Sequence, residues 1–272
     1  SSDIKMIIHG TTLATNAVIE RKGAKTCFIT TEGFRDVLDI GYESRFDQYD
    51  ILIEKTMSLV PRKHRYVIEE RTDINGNIIK PINTQKFQSL VDIIKNEKFE
   101  SIGIGFLHSY ANSKNENKLK EFLLKYLPDV EVSISSDVCP EIREYERFTT
   151  TVVNSYIKPL ISTYLKKLDI ELRKKGFNCP LLLMTSGGTL TNVISACNNP
   201  VRLVESGPAG GAILATSIAE DLKLDKVISF DMGGTTAKIT IIENQKAIKA
   251  REFEVDRKAR FKKGSGLPLR IP

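Results

Sequence analysis

Between residues 84 and 134 the chain alternates helix and strand at a spacing that few folds allow. Thr84 is placed to cap a helix reaching Asn96, and Ser101–Leu107 is an apolar strand. Asn112 or Ser113 opens a second helix that ends near Leu127, ahead of Pro128, and Val130–Ile134 is the next strand. Two strands joined by a helix of this length do not close as a hairpin; the crossover returns the chain parallel to the strand it left. Apolar runs such as Ser101–Leu107 then sit in a sheet covered on both faces. The segment therefore predicts an α/β protein with a largely parallel sheet.

The rest of the chain extends the pattern. A short apolar run, Ile4–Ile8, precedes a helix over 12–22 that Gly23 ends, and 26–30 is a further strand. Residues 34–40 form a short helix or turn, 41–65 are polar and irregular, and 66–71 alternate like a half-buried strand. An Asn-Gly turn lies within 73–77. A long helical period covers 144–173, with an interruption expected at Pro159. Leu181–Thr185 and Val201–Glu205 read as strands, the glycine-rich SGPAGGA of 206–212 leads into a helix ending near Leu222, and another strand starts at Val227.

Composition excludes several classes. With 272 residues the chain has room for about two domains. Apolar residues at 41% and charged ones at 27% are ordinary for a globular protein, and no apolar run is long enough to span a bilayer. The opening SSDIKMIIHG lacks the basic and hydrophobic regions of a signal peptide. A net charge of +6 concentrates only in RKARFKK, 257–263, with no nucleic-acid motif beside it. Cys27, Cys139, Cys179 and Cys197 form no C-x-x-C pair and have no histidine at ligand spacing, which suits free thiols in a reducing cytoplasm. His9, His64 and His108 are scattered, and no serine or cysteine triad signature is present.

Four stretches carry candidate chemistry. In VISFDMGGTTAKITII, 227–242, an apolar strand delivers Asp231 to a loop of Gly233, Gly234, Thr235 and Thr236. Glycines clear the way for successive backbone N–H groups to meet phosphate oxygens, the threonines add hydroxyl donors, and one carboxylate suits a hydrated Mg²⁺. A plain hairpin turn fits the same residues. In SGPAGGA, Gly207, Gly210 and Gly211 would aim N–H groups at an anion or let a helix approach a strand. In HGTTLATN, 9–16, His9, Thr11, Thr12 and Asn16 are substrate contacts or a helix cap with a core histidine. In EIREYERFTTTVVN, 141–154, paired charges are either catalytic or a salt-bridged helix face.

Taken together, these words are more specific than any one of them. HGTTLATNAVIERKG, TTEGFRDVLDIG, ERTDINGN, FLHSYAN, PEIREYERFTTTVVNSYIKP, LLLMTSGG, PVRLVESGPAGG and FDMGGTTAK follow in the order and spacing of the hydantoinase/oxoprolinase family. The chain resembles its hydantoinase A branch, the ATP-hydrolysing N-methylhydantoinases, over nearly its whole length. The resemblance implies the actin-like (ribonuclease H-like) ATPase fold, with two α/β lobes around a nucleotide cleft. Residues 1–138 would be the remainder of the N-terminal lobe and 139–272 the start of the hydantoinase A lobe. It implies ATP and Mg²⁺, a cyclic amide or imide substrate, and a B-type partner subunit.

On that resemblance Asp231 is the metal-orienting catalytic residue. Gly233, Gly234, Thr235 and Thr236 grip phosphates with Gly207, Gly210 and Gly211 lining the cleft. His9 and Thr12 are catalytic candidates, and Thr11 and Asn16 are substrate contacts. Family members carry a D-x-G-G-T loop ahead of the HGTT segment and a GAGGGS segment beyond GLPL, so the chain is expected to be an internal fragment that binds nucleotide poorly alone. Lys238 departs from oxoprolinase-like members, which often have Asp there. A subunit of an acetone- or acetophenone-type carboxylase, or a non-catalytic assembly module, would share the same words.

Overall fold

A computed structural model describes residues 4–232, 237–248, 250, 252–259 and 262–271. The chain forms two compact units that interleave along the sequence. The larger comprises Ala17–Leu160 with Phe253–Arg270, and the smaller comprises Ser1–Asn16, Ile161–Glu252 and Ile271–Pro272. These units are defined by packing, whereas a division at residue 138 is one of sequence segments.

The larger unit is built on the expected parallel sheet. Its four strands lie in the order Arg65–Ile68, Thr26–Thr31, Ser101–Gly105, Glu131–Ile134, all parallel. Thr26–Thr31 is buried along its whole length. Alternation assigns its side chains to two different layers. Cys27 and Ile29 pack with Ile102, Ile104 and Ile134 against Leu90, Val91 and Ile94 of the helix Phe87–Asn96 and against Leu119 and Leu123 of the helix Lys114–Tyr126. Phe28 points the other way, to Phe148 and Val152 of the long helix Glu144–Lys174. That helix sits close on the sheet because Gly103 and Gly105 have no side chain: a Cβ on Gly105 would lie 2.6 Å from the Phe148 ring.

Late residues close this unit. Phe253–Val255 pairs antiparallel with Leu267–Leu269. The segment is tied back by Asp256 to Arg21 at 2.6 Å, by the Thr56 hydroxyl donating to the Ser265 carbonyl at 2.7 Å, and by the Arg270 N–H donating to Thr150 Oγ1 at 2.9 Å.

In the smaller unit, Ile7–His9 runs parallel to Leu181–Met184, which pairs antiparallel with Leu190–Asn192. Lys226–Met232 and Ala237–Glu243 form an antiparallel ladder that places Asp231 opposite Lys238. The helix Ser206–Asp221 packs beside it.

Three local expectations are corrected. Val201–Glu205 is not a strand: Pro200–Leu203 is a 3₁₀ turn, with the Arg202 N–H donating to the Asn199 carbonyl at 3.1 Å. Pro200 at the turn's first position has no N–H to give a ladder, and this outweighs the β-branched side chains. Pro159 does not interrupt the long helix, which is continuous over Glu144–Lys174. Val152, Val153, Ile157, Ile161 and Leu165 are almost wholly buried on both sides of the proline, and their packing offsets one lost backbone hydrogen bond. Finally, Gly207, Gly210 and Gly211 do not form a turn ahead of a helix; they lie inside it, because the helix already begins at Ser206.

Candidate functional site

The smaller unit gathers several of the candidate words around Glu205. This residue holds a left-handed backbone, φ 63° and ψ 22°, immediately before the helix Ser206–Asp221. A side chain bearing a Cβ adopts that region only when its surroundings impose it. Here three contacts do so. The Glu205 N–H donates to Thr15 Oγ1 at 3.0 Å, and the Ser206 hydroxyl donates to the Thr11 carbonyl at 3.2 Å. The Glu205 carboxylate forms an ion pair with Lys238. HGTTLATN, SGPAGGA and FDMGGTTAK therefore meet at one place, although they are far apart in sequence.

Within this cluster each residue has a defined state. Thr11 Oγ1 accepts the Leu13 N–H at 3.1 Å, so its hydroxyl serves as a local cap. The Asn16 N–H donates to the Thr12 carbonyl at 2.9 Å, and both of these side chains are exposed. Thr15, by contrast, is buried. Partial burial pushes the Lys238 ammonium below its ordinary pKa, an effect that the neighbouring Glu205 charge opposes. Asp231 is exposed at the end of its strand, directly across the ladder from Lys238.

The three glycines of SGPAGGA have one property in common. Among the described residues, a Cβ built on Gly207, Gly210 or Gly211 would meet nothing within 4 Å. Close packing against a described strand is therefore not the reason for their small size. They leave the backbone of the first two helical turns open to whatever approaches. Gly188 differs: its φ is +77°, and a Cβ there would lie 3.0 Å from Ile213 Cδ1, so the turn of LLLMTSGG packs against this helix.

Other candidates lie apart from the cluster or have structural partners. His9 Nε2 and the Tyr164 hydroxyl are 2.9 Å apart, and burial pushes the imidazole below its ordinary value, which keeps the ring neutral at pH 7. The charges of EIREYERFTTTVVN are internal ties. Arg147 is fully buried and donates to the Phe106 carbonyl at 3.0 Å and the Glu141 carbonyl at 2.8 Å, while Glu146 pairs with Arg270 at 3.1 Å. Gly233, Gly234, Thr235 and Thr236 lie outside the described residues.

Among the described residues no three His, Cys, Asp or Glu side chains group as a metal site. A lone exposed carboxylate such as Asp231 still suits Mg²⁺, which keeps several waters and needs one or two carboxylates. Sequence reasoning passed over Thr15, Glu205, Ser206 and Lys238 as partners. The only cue was their position at the edge of glycine-rich words.

Known proteins share this architecture. Residues 1–127 match the hydantoinase/oxoprolinase N-terminal region and residues 147–272 match the hydantoinase/oxoprolinase family. An uncharacterised protein of Methanocaldococcus jannaschii is 43% identical over 99% of this chain and 40% of its own length. The crystal structure of the ATP-dependent caprolactamase from Pseudomonas jessenii superposes with a TM-score of 0.82 at 29% identity, over 98% of this chain and 38% of that one. Nucleotide-free acetone carboxylase gives a TM-score of 0.84 at 24% identity, over 97% of this chain and 38% of that one, a likeness of fold. The chain thus spans about two fifths of the length of these three proteins. Two successive family matches, in the order of the relatives and on the same α/β fold, give one conclusion: the chain belongs to the hydantoinase/oxoprolinase family.

Proposed function

We propose that this chain provides part of the phosphate-handling site of an ATP-dependent enzyme that opens a cyclic amide or imide ring of the hydantoin or N-methylhydantoin type. The observation that carries the reading is the meeting of the open glycine helix, the Glu205–Lys238 pair and the Asp231 strand end in one unit. An amide carbonyl is a poor electrophile and its oxygen a poor leaving group. Transfer of the terminal phosphoryl group of ATP to that oxygen releases ADP and makes the carbon open to water. Collapse of the adduct breaks the ring C–N bond with the nitrogen leaving protonated, and a second water hydrolyses the acyl phosphate to carboxylate and phosphate, so that the protein's work is positioning and charge stabilisation.

In this reading the Ser206–Asp221 helix presents the first-turn N–H groups of Ser206 and Gly207 and its positive dipole end to phosphate oxygens, with the bare flank of Gly207, Gly210 and Gly211 permitting close approach. Lys238 adds a cation whose position Glu205 fixes. Asp231 would hold Mg²⁺ through water, and the metal would supply charge neutralisation at the phosphates. Gly233, Gly234, Thr235 and Thr236 would complete the phosphate loop. Thr12 and Asn16, exposed beside the cluster, would contact substrate, with Thr11 holding the helix end and His9 a neutral hydrogen-bonding group behind them. We assign the enzyme to the cytoplasm, working with a B-type subunit; no described helix is long and apolar enough to cross a membrane.

The test is Asp231→Asn in the complete enzyme with its partner, assayed for ATP turnover with hydantoins, lactams and ketones. The expected result is a loss of turnover by orders of magnitude with the fold intact and ring amides as the responsive substrates. Undiminished turnover removes Asp231 from the site, and a response to ketones alone moves the enzyme to the carboxylases.

A further inference from the structure

The larger unit contains a niche that the phosphate site does not use. Its volume is about 200 Å³, and Leu38, Asp39, Gly41, Lys55, Met57 and Tyr145 are among its walls. This is below the ~300 Å³ at which drug-sized pockets begin. It is large enough for one small ring.

Besides Ser44, Lys55 and Thr56, the niche carries two polar groups of complementary kind, Tyr145 and Asp39. Tyr145 presents a phenol that makes no hydrogen bond among the described residues. Burial, and after it the charges of Glu254, Glu146 and Asp39, push this phenol up to about 12, so it stays an O–H donor at neutral pH. Asp39 is an acceptor with capacity left. Each of its carboxylate oxygens takes one N–H from the buried Arg65, both at 2.7 Å, and each keeps a further lone pair. Arg65 also fixes the direction of that carboxylate, because its Nε donates to the Val60 carbonyl at 3.0 Å.

Gly41 holds the donor edge open. Its backbone, φ 60° and ψ −128°, is one that glycine alone adopts comfortably, and a Cβ there would stand 3.5 Å from the Tyr145 hydroxyl. Tyr42 meets Tyr145 edge to face with ring centroids 4.9 Å apart, which locks the phenol's plane. Leu38 and Met57 supply apolar wall.

We propose that this niche binds a small cyclic amide, with the Tyr145 hydroxyl donating to its carbonyl and Asp39 accepting its N–H. A small ring locks its amide cis, so carbonyl and N–H face the same edge. One donor and one acceptor lining the same niche match that edge, whereas an open-chain trans amide presents the two on opposite sides. The choice of a cyclic amide over other cis donor–acceptor molecules rests on the function proposed above; the donor–acceptor pair itself does not.

Binding is measured by NMR on the labelled chain with δ-valerolactam as the probe and no nucleotide present. Valerolactam should shift the amide signals of residues 38–42 and 55–57. N-methyl-valerolactam, which lacks the donor, and Tyr145→Phe, which lacks the phenol, should each weaken binding at least about fivefold, the value of one hydrogen bond. Tyr145→Phe keeps the ring and leaves the Arg65–Asp39 pair untouched, so its fold is expected to survive. Absence of these shifts overturns the proposal. So does equal binding by Tyr145→Phe or by the N-methyl compound. Valerolactam binding in this pattern, with no ATP-dependent ring opening by the complete enzyme, keeps the niche and rejects the enzymatic reading. ATP-dependent ring opening without valerolactam binding here does the reverse.

Discussion

Replacing Gly210 and Gly211 together by alanine separates a structural use of these glycines from a functional one. Both lie in the interior of the helix Ser206–Asp221, and neither has a neighbour among the described residues that a Cβ would strike. Alanine is favoured over glycine in a helix interior by about 0.8–1.0 kcal/mol per residue. With no clash to subtract, the double variant should gain roughly 2 kcal/mol. For a chain of this size that corresponds to a rise of about 4–8 °C in Tm. Scanning calorimetry on the purified chain reads the gain directly. The complete enzyme, assayed for ATP turnover, should lose at least tenfold, because two methyl groups would then stand on the flank along which phosphate oxygens approach the helix N-terminus. Destabilisation would mean that the flank is not open and would refute the packing argument. A stabilised variant with full turnover would refute the functional one, leaving the glycines without a ligand to explain them.

Other expectations follow from particular contacts. Gly105→Ala should behave in the opposite way: its methyl group collides with Phe148 and Phe28, and such overpacking costs about 1–3 kcal/mol, visible as a lower urea midpoint at unchanged m-value. Burial lowers the pKa of His9, so as pH falls the unfolded chain takes up its proton before the folded chain does. Stability should therefore decline as pH drops below about 6.5, and the His9 ring signal should titrate below that value in an NMR pH series. A His9 midpoint at or above the ordinary value would show the ring to be solvated. Lys238→Met should release Glu205 from its ion pair, and the cost of leaving that half-buried carboxylate alone should appear as a lower Tm at neutral pH in scanning calorimetry.

Where the sequence was readable, periodicity and burial coincided. The runs at 26–31 and 101–105 are buried on both faces, so their apolar character announced a covered parallel strand. The long helix was readable because Val152, Val153, Ile157, Ile161 and Leu165 repeat at helical spacing, although its continuity through Pro159 depends on tertiary packing that periodicity does not contain. Val201–Glu205 has the β-branched side chains of a strand, but Pro200 ahead of it has no N–H to give a ladder. The site was half legible. Glycine-rich words marked its pieces, but the Glu205–Lys238 pair joins residues on different elements, and Thr15 meets Glu205 only through the fold. No local pattern announces such contacts.

The interleaving of the two units has a consequence for biosynthesis. Arg21, Thr56 and Thr150 emerge from the ribosome long before their partners Asp256, Ser265 and Arg270. Ile7–His9 must likewise await Leu181–Met184 to find a neighbouring strand. The parallel sheet over 26–134 is complete early, but the first strand of the smaller unit stays unpaired until Leu181–Met184 has followed, so the nascent polypeptide carries an unsatisfied β edge through much of its synthesis. Such a chain calls for holdase protection during translation, and slowing elongation should offer it little benefit.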